Sequence, residues 1–283
     1  MNTSANYRRS APGEPSRTRP ADLGRQIGVI AATSFMLIAA AVGTGALGGT
    51  SVQDLQDGAL AEDGSYLAPA GPAFGIWTAI YVGLIAYTVW QALPGQRANA
   101  RQRRLGWWIA LTAVLNGVWL VTAQFLTLPL TVVAIVALLI VLGLTFRLTL
   151  THPADSRWSA WLIDVVTGLH LGWVSLATVA NTTAWLTAEG VRVPAPGVWG
   201  VIVLAVVAVI GMAIGYFSNG RFAPALAIAW GLGWLAYGRL AGEPQSTPIA
   251  IAAIVAAVAV LIVPVVIRGR KPARKPEAYA RVP

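Results

Sequence analysis

Residues 162–186 read LIDVVTGLHLGWVSLATVANTTAWL, with Asp164 as their only charged residue. As a helix rising about 1.5 Å per residue, the stretch is long enough to cross a hydrocarbon layer of about 30 Å. A helix surrounded only by lipid needs nothing but apolar side chains. Here His170, Trp173, Ala177, Asn181 and Ala184 recur at helical spacing and form one stripe. Polar atoms at membrane depth must find partners inside the protein, in a cavity or on a ligand. The stretch therefore reads as a membrane-spanning helix within a bundle, with one face turned to other helices or to a ligand.

Further runs of the same kind lie on both sides of it. Eight in all are long enough to span, at about 27–48, 73–93, 105–126, 128–148, 158–186, 198–217, 222–241 and 247–267. The bulk composition agrees: 56% of the 283 residues are hydrophobic and 11% are charged, where a soluble domain carries about a quarter charged. The mean hydropathy is +0.65. The fold class is all-α, a polytopic helical membrane protein.

The net charge of +9 is not spread evenly. Arginines cluster before the first span (Arg8, Arg9, Arg17, Arg19, Arg25) and between spans two and three (Arg97, Arg101, Arg103, Arg104). Arg147, Arg157, Arg221 and the basic tail after the last span fall on the same side. Only Arg192 and Arg239 fall on the other. The positive-inside rule then places both termini in the cytoplasm, which requires an even number of spans. Basic tails distributed this way follow that rule and meet anionic headgroups; nucleic acid is not an expected partner. Arginine-rich, lysine-poor and alanine-rich composition points to a bacterial cytoplasmic membrane.

Residues 1–24 and 268–283 read as disordered basic tails, rich in Pro, Arg and Ala without periodicity. The first apolar run is too long for a signal-peptide core and reads as a span. The chain has no cysteine, which excludes disulfides, thiolate nucleophiles and cysteine-held metal or haem. The longest connection, residues 50–71, carries Asp54, Asp57, Glu62 and Asp63 with no basic residue. Loops of this length serve either as lids or as simple linkers. Glycines four apart (Gly45 and Gly49, Gly71 and Gly75, Gly168 and Gly172, Gly211 and Gly215) allow close helix approach. A homodimer is compatible with them and is not specified by them.

Candidate binding residues lie on three spans. Phe74, Trp77 and Tyr81 share a face of the second, while Tyr87 and Trp90 sit near its other end and read as interfacial rings. Asn116 and Trp119 lie one turn apart on the third, where a buried amide either ties helices or meets a ligand. His170, Trp173, Ala177 and Asn181 supply the fifth. With span two entering from outside and spans three and five leaving to it, Trp77, Tyr81, Trp119 and Asn181 fall in the outer half, beneath the acidic loop. Asp164 and His170 are six residues apart and face different ways, so they do not form a relay pair. His170 has no second histidine or cysteine to complete a metal site.

These stretches together resemble the TspO/MBR family of tryptophan-rich sensory proteins, related to the mitochondrial translocator protein. Pro69, Phe74, Ile76, Trp77, Ile80, Tyr81, Tyr87 and Trp90 fill places comparable to the family's second-helix pattern. Asn116 and Trp119 resemble its third-helix pair, and Leu171, Trp173, Val174, Ala177, Thr178, Asn181 and Trp185 its last helix. The likeness covers about residues 27–186 and is strongest over 69–185. It implies a five-helix bundle over residues 25–187 with three additional helices over 198–267. It also implies a pocket near the first loop for a flat hydrophobic ligand, a tetrapyrrole (porphyrin or haem-type) or a sterol, with no covalently bound cofactor. The binding residues so implied are Phe74, Trp77, Tyr81, Asn116, Trp119, His170, Trp173, Ala177 and Asn181. The chain departs from the pattern where Leu169 and His170 replace a Pro-Tyr pair and where the first loop is acidic. A loose sterol-type pattern, Leu235-Ala236-Tyr237-Gly238-Arg239, occurs in the seventh span.

Three functions fit these residues: a ligand-binding sensor or carrier, a permease for a small hydrophobic solute, and a non-catalytic scaffold whose aromatics only pack. A catalytic role has least support, since no nucleophile–base pair, paired carboxylates or metal spacing appears.

Overall fold

A computed structural model describes residues 18–46, 48 and 50–270. The outer parts of both tails (1–17 and 271–283) and Gly49 of one glycine pair lie outside the described residues. Eight long helices follow one another: α1 (Pro20–Gly43), α2 (Gly71–Ala92, its first turn 3-10), α3 (Ala100–Phe125), α4 (Leu128–Thr151), α5 (Arg157–Ala188), α6 (Pro196–Phe217), α7 (Phe222–Ala241) and α8 (Thr247–Gly269). Seven are long and apolar enough to cross a membrane; α7 is not, on composition alone. Glycines, Trp230, Trp234, Tyr237 and Arg239 lower its hydropathy. It nevertheless runs beside α5 in parallel register: Gly168 lies against Ala223, Gly172 against Ala227 and Gly231 against Leu176. Packing, not apolarity, places α7 in the bundle.

The first helix starts at Pro20, so residues 20–24 are ordered helix and not part of a tail. Proline suits the first helical position, where its missing N–H leaves no bond unmade. The Asp22 carboxylate accepts the Arg19 backbone N–H at 2.8 Å and is gripped by the Arg103 guanidinium of α3 at 2.7 Å. These charges seat α1 on α3. Further along, Gly28 meets Trp107 and Gly117 meets Phe35, so the two helices run parallel at close range.

One hydrophobic cluster fills α1–α5, with Met36, Ile80, Leu138, Leu142 and Trp173 at its centre. A second joins Leu176 of α5 to α6, α7 and α8. Two of the glycine pairs are used inside this arrangement. Gly168 and Gly172 receive Ala223, Pro224 and Ala227 of α7, and Gly211 and Gly215 receive Val260 and Val263 of α8.

The arginine-rich end of the bundle is a buried polar layer. Arg25 donates to the carbonyls of Gln96 and Arg97 at 3.2 and 3.1 Å, and Gln26 and Gln91 exchange bonds with each other's helices. Tyr87, which reads in sequence as an interfacial ring, is fully buried here and donates to Gln102 Oε1 at 2.9 Å. A buried phenol takes an internal acceptor because water is absent. The start of α5 includes a π-helical turn, Ala160–Val165. From it Asp164 binds Arg101 of α3 and, at 3.5 Å, Arg221 of the α6–α7 turn. Arg101 also donates to the His152 and Ser159 carbonyls, and Arg221 to Thr149. Asp164 thus joins three parts of the bundle and does not reach toward His170.

Candidate functional site

At the opposite end, the loop of residues 50–70 folds back over the helices. Short 3-10 turns at Val52–Asp54 and Gln56–Gly58 shape it, with Gln56 and Asp57 both in the left-handed region. Gln56 is held there by donating to the last carbonyls of α3, Leu126 at 2.9 Å and Ala123 at 3.3 Å. Helix C-termini leave such carbonyls without internal donors, so the loop caps α3 as it crosses it.

Beneath the loop lies an apolar cavity between α2, α3, α4 and α5. Val52 and Ala59–Ala61 form its roof, and Phe74, Trp77, Trp119, Ile135, Trp173, Ala177 and Asn181 line it below. The α2 rings pack edge-on against α5: Phe74 lies 5.7 Å from Trp173, and Trp77 6.1 Å from Trp173. Edge-to-face contact is the favourable arrangement for such rings. The cavity measures about 50 Å³, room for a water or so. A drug-sized ligand occupies about 300–1,000 Å³, so the roof must lift to admit one.

Of the nine residues singled out in the sequence, Phe74, Trp77, Trp119, Trp173, Ala177 and Asn181 come together around this cavity. The other three sit just outside it. Tyr81 donates to Asn116 Oδ1 at 3.0 Å, tying α2 to α3, and His170 packs edge-on to Trp77 at 5.7 Å. Asn181 is already engaged: it accepts Trp119 Nε1–H at 2.8 Å and donates to Thr131 Oγ1 at 2.8 Å. One amide thereby joins α3, α4 and α5. Replacing Asn181 by alanine should cost about 1–3 kcal/mol, because it strands the buried Trp119 indole N–H; the Thr131 hydroxyl keeps its own bond to the Leu128 carbonyl. Detergent unfolding monitored by tryptophan fluorescence would register that loss even without ligand.

Trp173 differs. It is 1% exposed, lines the cavity, and its indole N–H has no acceptor among the described residues. A buried donor left unpaired costs about 1–3 kcal/mol, which an acceptor brought within its reach would recover. No histidine lines the cavity, and His170 stands outside its wall. The lining therefore suits a flat apolar ring with a hydrogen-bond acceptor, and offers no axial ligand of the kind that holds haem iron.

The roof is also held by α7, which the sequence places outside the five-helix likeness. Arg239, 1% exposed, donates to the Ser65 carbonyl at 3.0 Å and the Glu62 carbonyl at 2.8 Å. Ala70 N–H donates to the Trp234 carbonyl, and Trp230 Nε1–H to the Ala73 carbonyl. Leu235 and Arg239 of the sterol-type pattern are buried in this way, and only Tyr237 of its three key residues faces outward. The pattern presents no common lipid-facing surface.

A family model described as TSPO-like protein matches residues 26–266. The chain belongs to that family. The match runs well past residue 186, so α6, α7 and most of α8 are part of what this TSPO-like chain shares with its family. No curated protein and no solved structure matches it. What the sequence could not single out in this TSPO-like site are Val52, Leu60, Ala61 and Ile135, ordinary apolar residues that matter only by position. Arg239 carried a signal, being one of two arginines on the loop side, but its target was not legible.

Proposed function

We propose that this TSPO-like membrane protein binds a flat hydrophobic molecule, a metal-free tetrapyrrole or sterol-like compound, in the cavity beneath residues 50–70. The observation that carries this reading is an apolar cavity lined by Phe74, Trp77, Trp119 and Trp173, the last with a buried indole N–H that has no acceptor among the described residues. The rings would stack on the ligand and the indole would orient it through an acceptor. Entry requires the roof to lift, with Gln56 leaving the end of α3 and the loop carbonyls leaving Arg239, and a ligand-dependent position of that roof is how binding would be sensed. The cavity would open to the outer face of a bacterial cytoplasmic membrane, with the arginine-rich end in the cytoplasm.

The test is a protoporphyrin IX titration of the protein in nanodiscs, read by quenching of tryptophan fluorescence and by porphyrin absorbance, with empty discs alongside. Saturable binding is expected. Trp173→Phe keeps a ring but removes the donor together with part of a buried indole, so it should weaken binding about fivefold, and its unfolding is measured alongside because the smaller ring leaves a cavity. Asn181→Ala is a poorer probe because it loosens three helices at once. Non-saturable, lipid-like uptake by the wild-type protein would remove the tetrapyrrole reading.

A further inference from the structure

A second, larger space lies in the opposite half of the molecule and has no part in the proposed ligand site. Helix α6 packs along α8 and only lightly against α5, which leaves a groove of about 790 Å³ between α4 and α6, floored by α5 and α7. Leu139 marks one end on α4 and Leu150 the other. At about 1.5 Å per residue, that separation is roughly 16 Å, about half of a 30 Å hydrocarbon layer and so one leaflet deep. The floor is apolar in effect. Its two hydroxyls, Ser175 and Thr178, donate back to the Leu171 and Val174 carbonyls of their own helix.

At the arginine-rich end the groove runs into a polar recess of about 470 Å³, which shares Leu150 and Ser218 with it and is lined by Arg221 and Arg268. Arg147 lines the groove itself and is exposed, with no hydrogen bond or ion pair among the described residues. Arg221 is partly neutralised by Asp164. Arg268 uses its Nε–H on the Gly220 carbonyl and lies over the Phe222 ring. Three guanidinium groups with one carboxylate between them leave the mouth net positive. An apolar slot one leaflet long, ending in unneutralised arginines at headgroup depth, has the chemistry of a lipid with apolar chains and an anionic head.

We infer that this groove is a binding site for one anionic phospholipid, its acyl chains between α4 and α6 and its phosphate at Arg147 and Arg268. The full-length protein, purified in detergent, would be given equimolar phosphatidylglycerol and phosphatidylcholine with identical chains, and retained lipid counted by native mass spectrometry. Preferential retention of one phosphatidylglycerol per chain is expected. Arg147→Gln should reduce that preference about fivefold, as expected for one arginine near an anionic headgroup. Gly143→Phe should abolish retention by filling the groove; a side chain at Gly143 meets nothing within 4 Å, so folding is spared. Equal retention of the two lipids, or a phosphatidylglycerol preference that survives Arg147→Gln, would overturn the inference. So would a lipid count unchanged by Gly143→Phe in a variant that melts like the wild type. If that variant is unstable, Arg147→Gln alone decides the matter.

Discussion

Asp164→Asn should destabilise the protein by about 3–5 kcal/mol, the range for a buried ion pair stripped of one partner. The carboxylate is 14% exposed and faces two guanidinium groups, Arg101 on α3 and Arg221 before α7. The amide keeps the shape but removes the one carboxylate paired with both cations at the edge of a low-dielectric layer. The order of effects is the diagnostic part. Arg221→Gln leaves Asp164 its partner Arg101, and should cost clearly less than Asp164→Asn. Titration of the detergent-solubilised protein with a denaturing surfactant, followed by tryptophan fluorescence, would rank the variants. A loss for Asp164→Asn no greater than that for Arg221→Gln would mean that Asp164 does not act as the shared counter-charge.

Gly172→Leu should be comparably severe for a different reason. A Cβ at this position would lie 2.3 Å from the Pro224 carbonyl oxygen and 2.9 Å from the Ala227 methyl group. The first of these atoms is backbone and cannot swing aside, so α5 and α7 must separate. Overpacking of well-filled interiors costs about 1–3 kcal/mol and more where the backbone is the obstacle. Trp173 follows immediately and packs on Phe74 and Trp77, so the displacement should also distort the cavity and abolish saturable porphyrin quenching. Gly143→Leu is the matched control, since that glycine faces open space. Near-wild-type unfolding of Gly172→Leu would show that α5 and α7 do not approach this closely.

The two variants mark the boundary of what could be read from the chain. The positions of the helices followed from runs of mostly apolar residues, because a segment that crosses hydrocarbon must satisfy its backbone internally and hide few charges; seven of the eight meet that condition by composition and α7 falls short of it. The gathering of Trp77, Trp119 and Asn181 in one half also followed, because helical periodicity fixes which residues share a face and the alternation of spans fixes which end they occupy. The start of α1 at Pro20 is not legible in the chain, because Arg19, Asp22 and Arg25 look like a solvated tail until Arg103, far along the chain, is set against them.

By itself, then, the sequence determined an all-helical membrane protein with its arginines at one end and its aromatic residues clustered near the other. Only the tertiary structure decided that Tyr87 is internal and that Asn181 is bound on both sides by Trp119 and Thr131. It also decided that Arg239 holds the roof of the cavity. Periodicity specifies a face of one helix, whereas these contacts depend on which helix or loop lies opposite. That choice is made by the packing of small residues such as Gly168 and Gly172, whose partners lie more than fifty residues away.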